Sequence, residues 1–295
     1  MSTKNKSPLL PIISCLIAAT LWGVFWYPLR VLEGMGIPGF WATLIIYLSA
    51  LVPMWPLFWK QRHGLRSQRL LFVLIGIFAG WTNLAFILAL LEGQVVRVLL
   101  LFYLLPIWTL ILGLIFLHER PSSQAWCSLF ISFIGALIIL WQSDSSVVLQ
   151  SKQVDLLAVS AGFAFAVNNV LVRKIGDIPI ILKMGSAWLG VIVLTIAGIV
   201  TMQIQLPVFS GASLALAIFV GCVGMSLMSF TALYGVTHLP VHRSASLMLF
   251  EVFVGAVSAA LLTEEVLTAR ELMGGLLIIF AAWLTTRDLM KNSAT

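Results

Sequence analysis

An all-α integral membrane protein, with ten transmembrane helices arranged as two inverted-topology five-helix repeats, is the fold this sequence predicts. Three observations predict it. The chain is 61% hydrophobic and only 9% charged, with a mean hydropathy of +1.07, where soluble domains carry roughly 25% charged residues. Its apolar runs, such as 98–117, 126–143 and 184–210, contain no charge at all. About 20 apolar residues cross the ~30 Å hydrocarbon core as a helix, whereas barrel strands alternate over about ten. Finally, the second half of the chain echoes the first at a nearly constant offset.

Breaking the sequence at charges, Pro and Gly gives the spans in order. The first, 8–31, follows Lys4 and Lys6 and begins like a signal peptide. Its apolar run continues to Leu29 and many spans follow, so it reads as an uncleaved helix. Span 37–59 opens after Gly-Ile-Pro and stops at the basic stretch "KQRHGLRSQR"; 68–91 runs to Glu92-Gly93; 95–117 ends at "HERP"; 123–142 follows directly. Span 153–174 ends at "RKIGDIP", 179–203 and 210–237 are separated by "LPVF", 240–262 starts at Pro240, and 269–286 closes the series. The connections leave no room for a soluble domain, so the chain divides into repeats 1–147 and 148–295 of one membrane domain. Cys15, Cys127 and Cys222 sit in apolar spans at no metal-like spacing, and neither a metal site, a cofactor nor a disulfide framework is expected.

Lysine and arginine concentrate on the cytoplasmic side of membrane proteins. With the N-terminus inside, 13 of the 17 Lys and Arg residues are cytoplasmic, leaving Arg30, Arg97, Lys152 and Arg270 outside with most of the acids. Both termini are then cytoplasmic, in a cell membrane expected to be a bacterial inner membrane. The net charge of +6 follows from this topology and from anionic lipid, and calls for no nucleic-acid partner.

The repeat has two registers. Arg97 and Glu119 are 22 residues apart, as are Arg243 and Glu265, both at an offset of 146. "LWGVFWYPLR" (21–30) pairs with "AFAVNNVLVR" (164–173) at 143, setting Trp22, Trp26 and Arg30 opposite Phe165, Asn169 and Arg173. Five spans per half is odd, so the halves enter the membrane from opposite sides. Inverted repeats of this kind build transporters whose site lies at the midplane between the halves.

"LWG" at 21–23, "YLLP…LGLIFLHERP" at 103–121 and "LFEVFVGAVSAALLTEEVL…GGLLIIFAA" at 249–282 resemble the EamA-type drug/metabolite transporters, the ten-helix branch that includes amino-acid exporters. The resemblance runs over nearly the whole chain. It implies export of a small metabolite, an amino acid among the candidates. The two inverted halves point to a secondary transporter working by alternating access. The aromatic-plus-carboxylate inventory suits an amine-containing amphipath, and a titrating Glu251 would couple transport to protons. The resemblance also implies that Tyr103, in the family's Tyr-x-x-Pro, lines the pocket. Two departures stand out: Val252 follows Glu251 where the family often has Pro, with Pro106 kept in the first half, and positions 97 and 243, often small, are arginines.

Glu251 is the first candidate. A charge at the centre of a membrane helix costs at least ~2.5–3.5 kcal/mol on insertion scales and marks function by default. Either it binds a proton or a cationic group of the solute, or it holds two helices together by hydrogen bonds. Trp22 and Trp26 share a helix face with Arg30, as Phe165 does with Asn169; aromatic faces suit apolar or cationic ligands, and packing is the alternative reading for Trp22 and the preferred one for Trp26 and Asn168. Trp81 and Asn83 in "GWTNLAF" are pocket residues or helix–helix glue, since a buried amide needs partners. Helix 8 carries small residues suited to close packing, with Tyr234 the one candidate there for a solute path.

Pro106 removes a backbone hydrogen bond to residue 102 and predicts a kink just after Tyr103. Yet Tyr103 matches Leu249 by the repeat, and Glu251 lies about 200° further round at 100° per residue. Strict pseudosymmetry therefore places the two apart; a kink or a broken symmetry is needed to join them. Arg97 and Arg243, near span starts on opposite sides, read as anion ligands, as gate ion pairs (Arg97 with Glu92), or as snorkelling side chains. "HERP" and "TEEV" read as solvated turn charges.

Competing classes find little support. The chain has no GxxxxGK, HExxH or GxSxG, and its four histidines fall at loop edges. An enzyme or a receptor ranks below a transporter, and a lipid-linked sugar flippase or nucleotide-sugar carrier would need cations deep in its cavity. The expected partners are the solute, lipid and protons, with the protein a monomer or homodimer.

Overall fold

The computed structural model describes residues 9–92, 95–140, 152–262 and 269–294. Within them lie α1 (Leu9–Val24), α2 (Trp26–Gly34), α3 (Gly39–Gln61), α4 (Arg69–Glu92), α5 (Val95–Phe102), α6 (Leu105–Phe116) and α7 (Ser123–Leu140). The order continues with α8 (Lys152–Ile175), α9 (Ile180–Thr201), α10 (Gly211–Phe219), α11 (Ser226–His238), α12 (Val241–Met248), α13 (Phe250–Leu262) and α14 (Ala269–Ala294). Among the described residues, eight helical stretches are long and apolar enough to cross a membrane, including Leu9–Gly34, Gly211–His238 and Val241–Leu262; Leu105–Phe116 and Ser123–Ile139 are shorter apolar helices. Large apolar side chains such as Val52, Leu70, Leu156, Val200 and Leu276 are exposed, more than an aqueous surface tolerates and what a lipid-facing surface requires. Trp59 beneath Arg62 and Trp283 beneath Arg287 make cation–π pairs, at 4.2 and 5.5 Å, of the kind that marks a headgroup boundary.

Three spans that the sequence presents as continuous are broken. Pro28 cannot donate to Val24, and the chain tightens at Phe25, whose N–H turns to the Trp22 carbonyl at 3.1 Å. Pro106 does the same between α5 and α6, where the Leu104 N–H takes the Leu101 carbonyl at 3.3 Å. The third break, at Leu249 between α12 and α13, has no proline, and the Val252 N–H reaches back only three residues, to Leu249, at 3.1 Å. A π-helical turn, Val220–Met225, joins α10 to α11.

Glycines set the closest helix crossings. A Cβ on Gly190 of α9 would lie 1.8 Å from the Gly76 carbonyl oxygen of α4, and one on Gly221 would lie 2.3 Å from the Ile46 carbonyl oxygen of α3. Gly135 of α7 and Gly274 of α14 face each other's carbonyls in the same manner. Without a hydrophobic drive inside lipid, close backbone approach of this kind is what holds helices together. The largest buried cluster joins α3, α4, α8, α9 and α11, including Ile46, Tyr47, Ile75, Leu182 and Trp188.

Candidate functional site

The breaks at Tyr103–Leu104 and Leu249 bring together two side chains that helical phase alone would separate. The Tyr103 hydroxyl donates to Glu251 Oε1 at 2.6 Å, within the range of an O–H···O⁻ bond. Leu249 itself sits in the turn, so the 100° step does not run through it to Glu251. Glu251 falls in the first turn of α13, the end of a helix that favours an anion. Around the pair pack Ala136, Leu249, Val252 and Ile278. An ionised carboxylate has about four acceptor positions, and the phenol takes one, leaving others for the N–H donors of a solute.

Close backbone contacts hold both breaks. Pro106 frees the Phe102 carbonyl, and a Cβ on Gly162 of α8 would lie 2.5 Å from that oxygen. On the other side, a Cβ on Gly23 of α1 would lie 2.7 Å from the carbonyl oxygen of Glu251 itself. Only glycine permits either approach.

The other candidates are distributed around this pair. Phe165 stacks on Phe102 at 6.0 Å, and Phe102 meets Tyr103 edge-on at 5.6 Å, so Phe165 reaches the pair through one intervening ring. Asn169, half-buried one turn along α8, makes no amide hydrogen bond among the described residues. Trp22 packs edge-on to Phe25 against the main core cluster. The Asn83 amide donates to the Tyr47 hydroxyl at 3.2 Å, tying α4 to α3. Trp81 is 39% exposed and donates to Ser160 across the α4–α8 seam. Trp26 donates to Ser258 at 2.9 Å, and Ser258 donates to the Gly23 carbonyl. Trp26→Phe is expected to cost about 1 kcal/mol, read as a lower unfolding temperature in detergent with activity retained. Two recesses, of about 270 Å³ on α1 around Leu16 and about 260 Å³ between α6 and α7 around Phe130, do not include Tyr103 or Glu251.

Arg243 does not snorkel. Its guanidinium donates to Asp288 Oδ2 at 2.7 Å, with both side chains about nine-tenths buried, and Ser122 donates to the same carboxylate oxygen. Removing one member leaves the other charged and buried, so Asp288→Asn or Arg243→Met is expected to cost about 3–5 kcal/mol in thermal or denaturant unfolding. The side chains of Arg97 and Glu92 lie outside the described residues.

Two residues of this end escaped the sequence reading. Lys183, fully buried, donates to the Gly176 and Val172 carbonyls at the end of α8 and to Thr237 Oγ1. Glu119, read as a solvated turn charge in "HERP", has a side chain only 14% exposed. His118 adopts a left-handed φ of +54°, costing about 1–2 kcal/mol, and this turns Glu119 back beneath α6. There its Oε2 accepts from the Val241 N–H at 2.9 Å and lies 3.1 Å from His242 Nδ1, while Oε1 lies 3.5 Å from Arg173 Nε. No local signal names such partners, which are more than 50 residues away in sequence.

Residues 9–141 match the EamA-like transporter family. The RarD proteins of Salmonella typhi and Salmonella typhimurium strain LT2 are 26% identical over 120 residues, which is 40% of this chain and 38% of each relative's length. A protein of known crystal structure superposes with a TM-score of 0.80 over 95% of this chain and 97% of its own, at 14% identity, a likeness of fold alone.

Proposed function

We propose that the chain, whose residues 9–141 match the EamA-like transporter family, is an EamA-type drug/metabolite transporter: a secondary transporter, not an enzyme, moving a small amine-bearing solute by alternating access. The observation that carries the reading is the Tyr103–Glu251 hydrogen bond, made between two broken helices, one from each half of the chain. A carboxylate with free acceptor positions beside Phe102 and Phe165 suits a cationic head on an apolar body, such as an amino acid or an amphipathic amine. Protons compete for the same carboxylate, which supplies the coupling. Arg243, the described arginine that an anionic sugar carrier would use, is already neutralised by Asp288.

The architecture we propose for this work is ten spans in two inverted halves, 1–147 and 148–295, counting α5–α6 and α7 with the eight longer stretches. Helix packing supports it. The Gly221–Ile46 and Gly190–Gly76 crossings are images of one another, with 46 matching 190 and 76 matching 221 at offsets of 144 and 145. The Tyr47–Asn83 bridge is echoed on the matching helices, out of register at offsets of 141 and 146, by Trp188–Ser229, where the indole donates to the serine at 3.1 Å. The first helix of each half also packs on the broken helix of the other, Gly23 on Glu251 and Gly162 on Phe102. Orientation follows the basic residues: both termini cytoplasmic, in a bacterial inner membrane, with export the direction of use.

The test is uptake into proteoliposomes from a pool of amino acids, amines and small cationic drugs, with and without an imposed pH gradient. Saturable, gradient-dependent uptake of amine-bearing members is expected. No uptake of any member in either direction would overturn the reading.

A further inference from the structure

We propose that α12 is a gate arm hinged at Leu249, and that Glu119 is the latch holding it shut; the inference rests on the alternating-access reading above. The N-terminus of α12 has no side-chain cap of its own, and its N-cap residue is Pro240. Glu119 supplies the cap from the other half of the chain, accepting from the Val241 N–H and facing His242. A carboxylate at a helix N-terminus meets both an unsatisfied donor and the positive end of the dipole. The same carboxylate faces Arg173, which donates to the Thr237 carbonyl at the end of α11. One side chain thus ties the end of α6 to α8 and α12, and through Arg173 to α11, at a single end of the bundle.

The arm itself is a rigid two-turn helix. Its far end is the Leu249 break, and the next helix begins with the residues carrying Glu251. Gly113 lets the arm lie directly on α6: a Cβ there would come within 2.7 Å of Val241 Cγ2. Beyond the latch, Arg243 pairs with Asp288 of α14, and the Ser246 hydroxyl lies 3.1 Å from Ser132 of α7 and 3.5 Å from Thr285 of α14. These hydrogen bonds and the ion pair are re-formable, while Val241 and Leu247 pack the arm's apolar side against α6, α8 and α1. The end they close has to open if solute bound at Glu251 is to reach that side of the membrane. Swinging α12 about Leu249 opens it while α13 and its carboxylate stay in place.

The test needs no solute, so it stands apart from the transport assay. Ser246, 1% exposed, is changed to Cys in protein whose Cys127 and Cys222 are serine, in lipid nanodiscs. Cys15, which shares a buried cluster with Leu247 of α12, is changed to alanine, and Thr195→Cys in α9, 2% exposed and away from the arm, serves as the standard in a parallel protein. A membrane-impermeant maleimide then reports opening. Glu119→Ala is expected to raise labelling at position 246 about fivefold, and Glu119→Gln by less, with position 195 still protected. Unchanged labelling at 246, or an equal rise at 246 and at 195, would overturn the latch: the first because Glu119 does not hold the arm, the second because it only holds the fold.

Discussion

Glu251→Gln protein in proteoliposomes is expected to lose gradient-driven uptake of the amine-bearing solutes that the wild type takes up. Gln keeps the volume and the acceptor for the Tyr103 hydroxyl, so the fold is retained and only the charge goes. Losing one partner of a desolvated charge pair costs about 2–5 kcal/mol, a loss of roughly 30-fold to several-thousand-fold in apparent affinity. Tyr103→Phe removes one donor and leaves the carboxylate, so the expected loss is smaller, near tenfold. It is a change in apparent KM more than in maximal rate, because the phenol positions a carboxylate that still binds. A Glu251→Gln protein with wild-type unfolding temperature and wild-type uptake would make this carboxylate structural.

The second large effect concerns stability. Gly190→Ala is expected to destabilise the protein by about 4 kcal/mol or more, and Gly190→Leu to abolish folding. The neighbours of a Cβ at 190 are the oxygen, carbonyl carbon and Cα of Gly76, at 1.8, 2.3 and 2.5 Å, all backbone. No side chain can rotate away, so α4 and α9 must separate along the seam where Gly80 also meets the Gly190 carbonyl. Gly211→Ala is the matched control. Nothing lies within 4 Å of a Cβ there, and its position at the start of α10 suits alanine, so stability is expected to change by less than about 0.5 kcal/mol. Unfolding of both variants in one detergent gives the comparison directly.

Much of the fold is legible because lipid imposes a single strong constraint. The run 184–210 lies mostly in one spanning helix, α9, which stops at Thr201 short of the run's end, and offsets of 144 and 145 recur in the crossings at Gly76, Gly190 and Gly221. Pro106 announces its break. The break at Leu249 is hidden, since no proline or glycine marks it, and helical phase then steers the eye away from the Tyr103–Glu251 contact that the break permits. Glu251 stands out from its oily surroundings in sequence alone. Glu119 does not, because a charge in a short turn looks solvated until its distant partners are placed beside it. Asp288 is hidden for the same reason: its partner Arg243 lies 45 residues away on another helix. What local patterning carries is which residues are buried; which buried polar groups meet is a property of the packed helices.

The central claim is that the Glu251 carboxylate is where the solute's amine sits. A hydrophobic carbodiimide modifies carboxylates inside the membrane, and peptide mass spectrometry locates the adduct. Modification at Glu251 is expected, with protection in a concentration-dependent manner by the same amines that the wild-type protein transports. Modification at Glu251 that no transported solute slows, with transport unimpaired once the carboxylate is blocked, would contradict it.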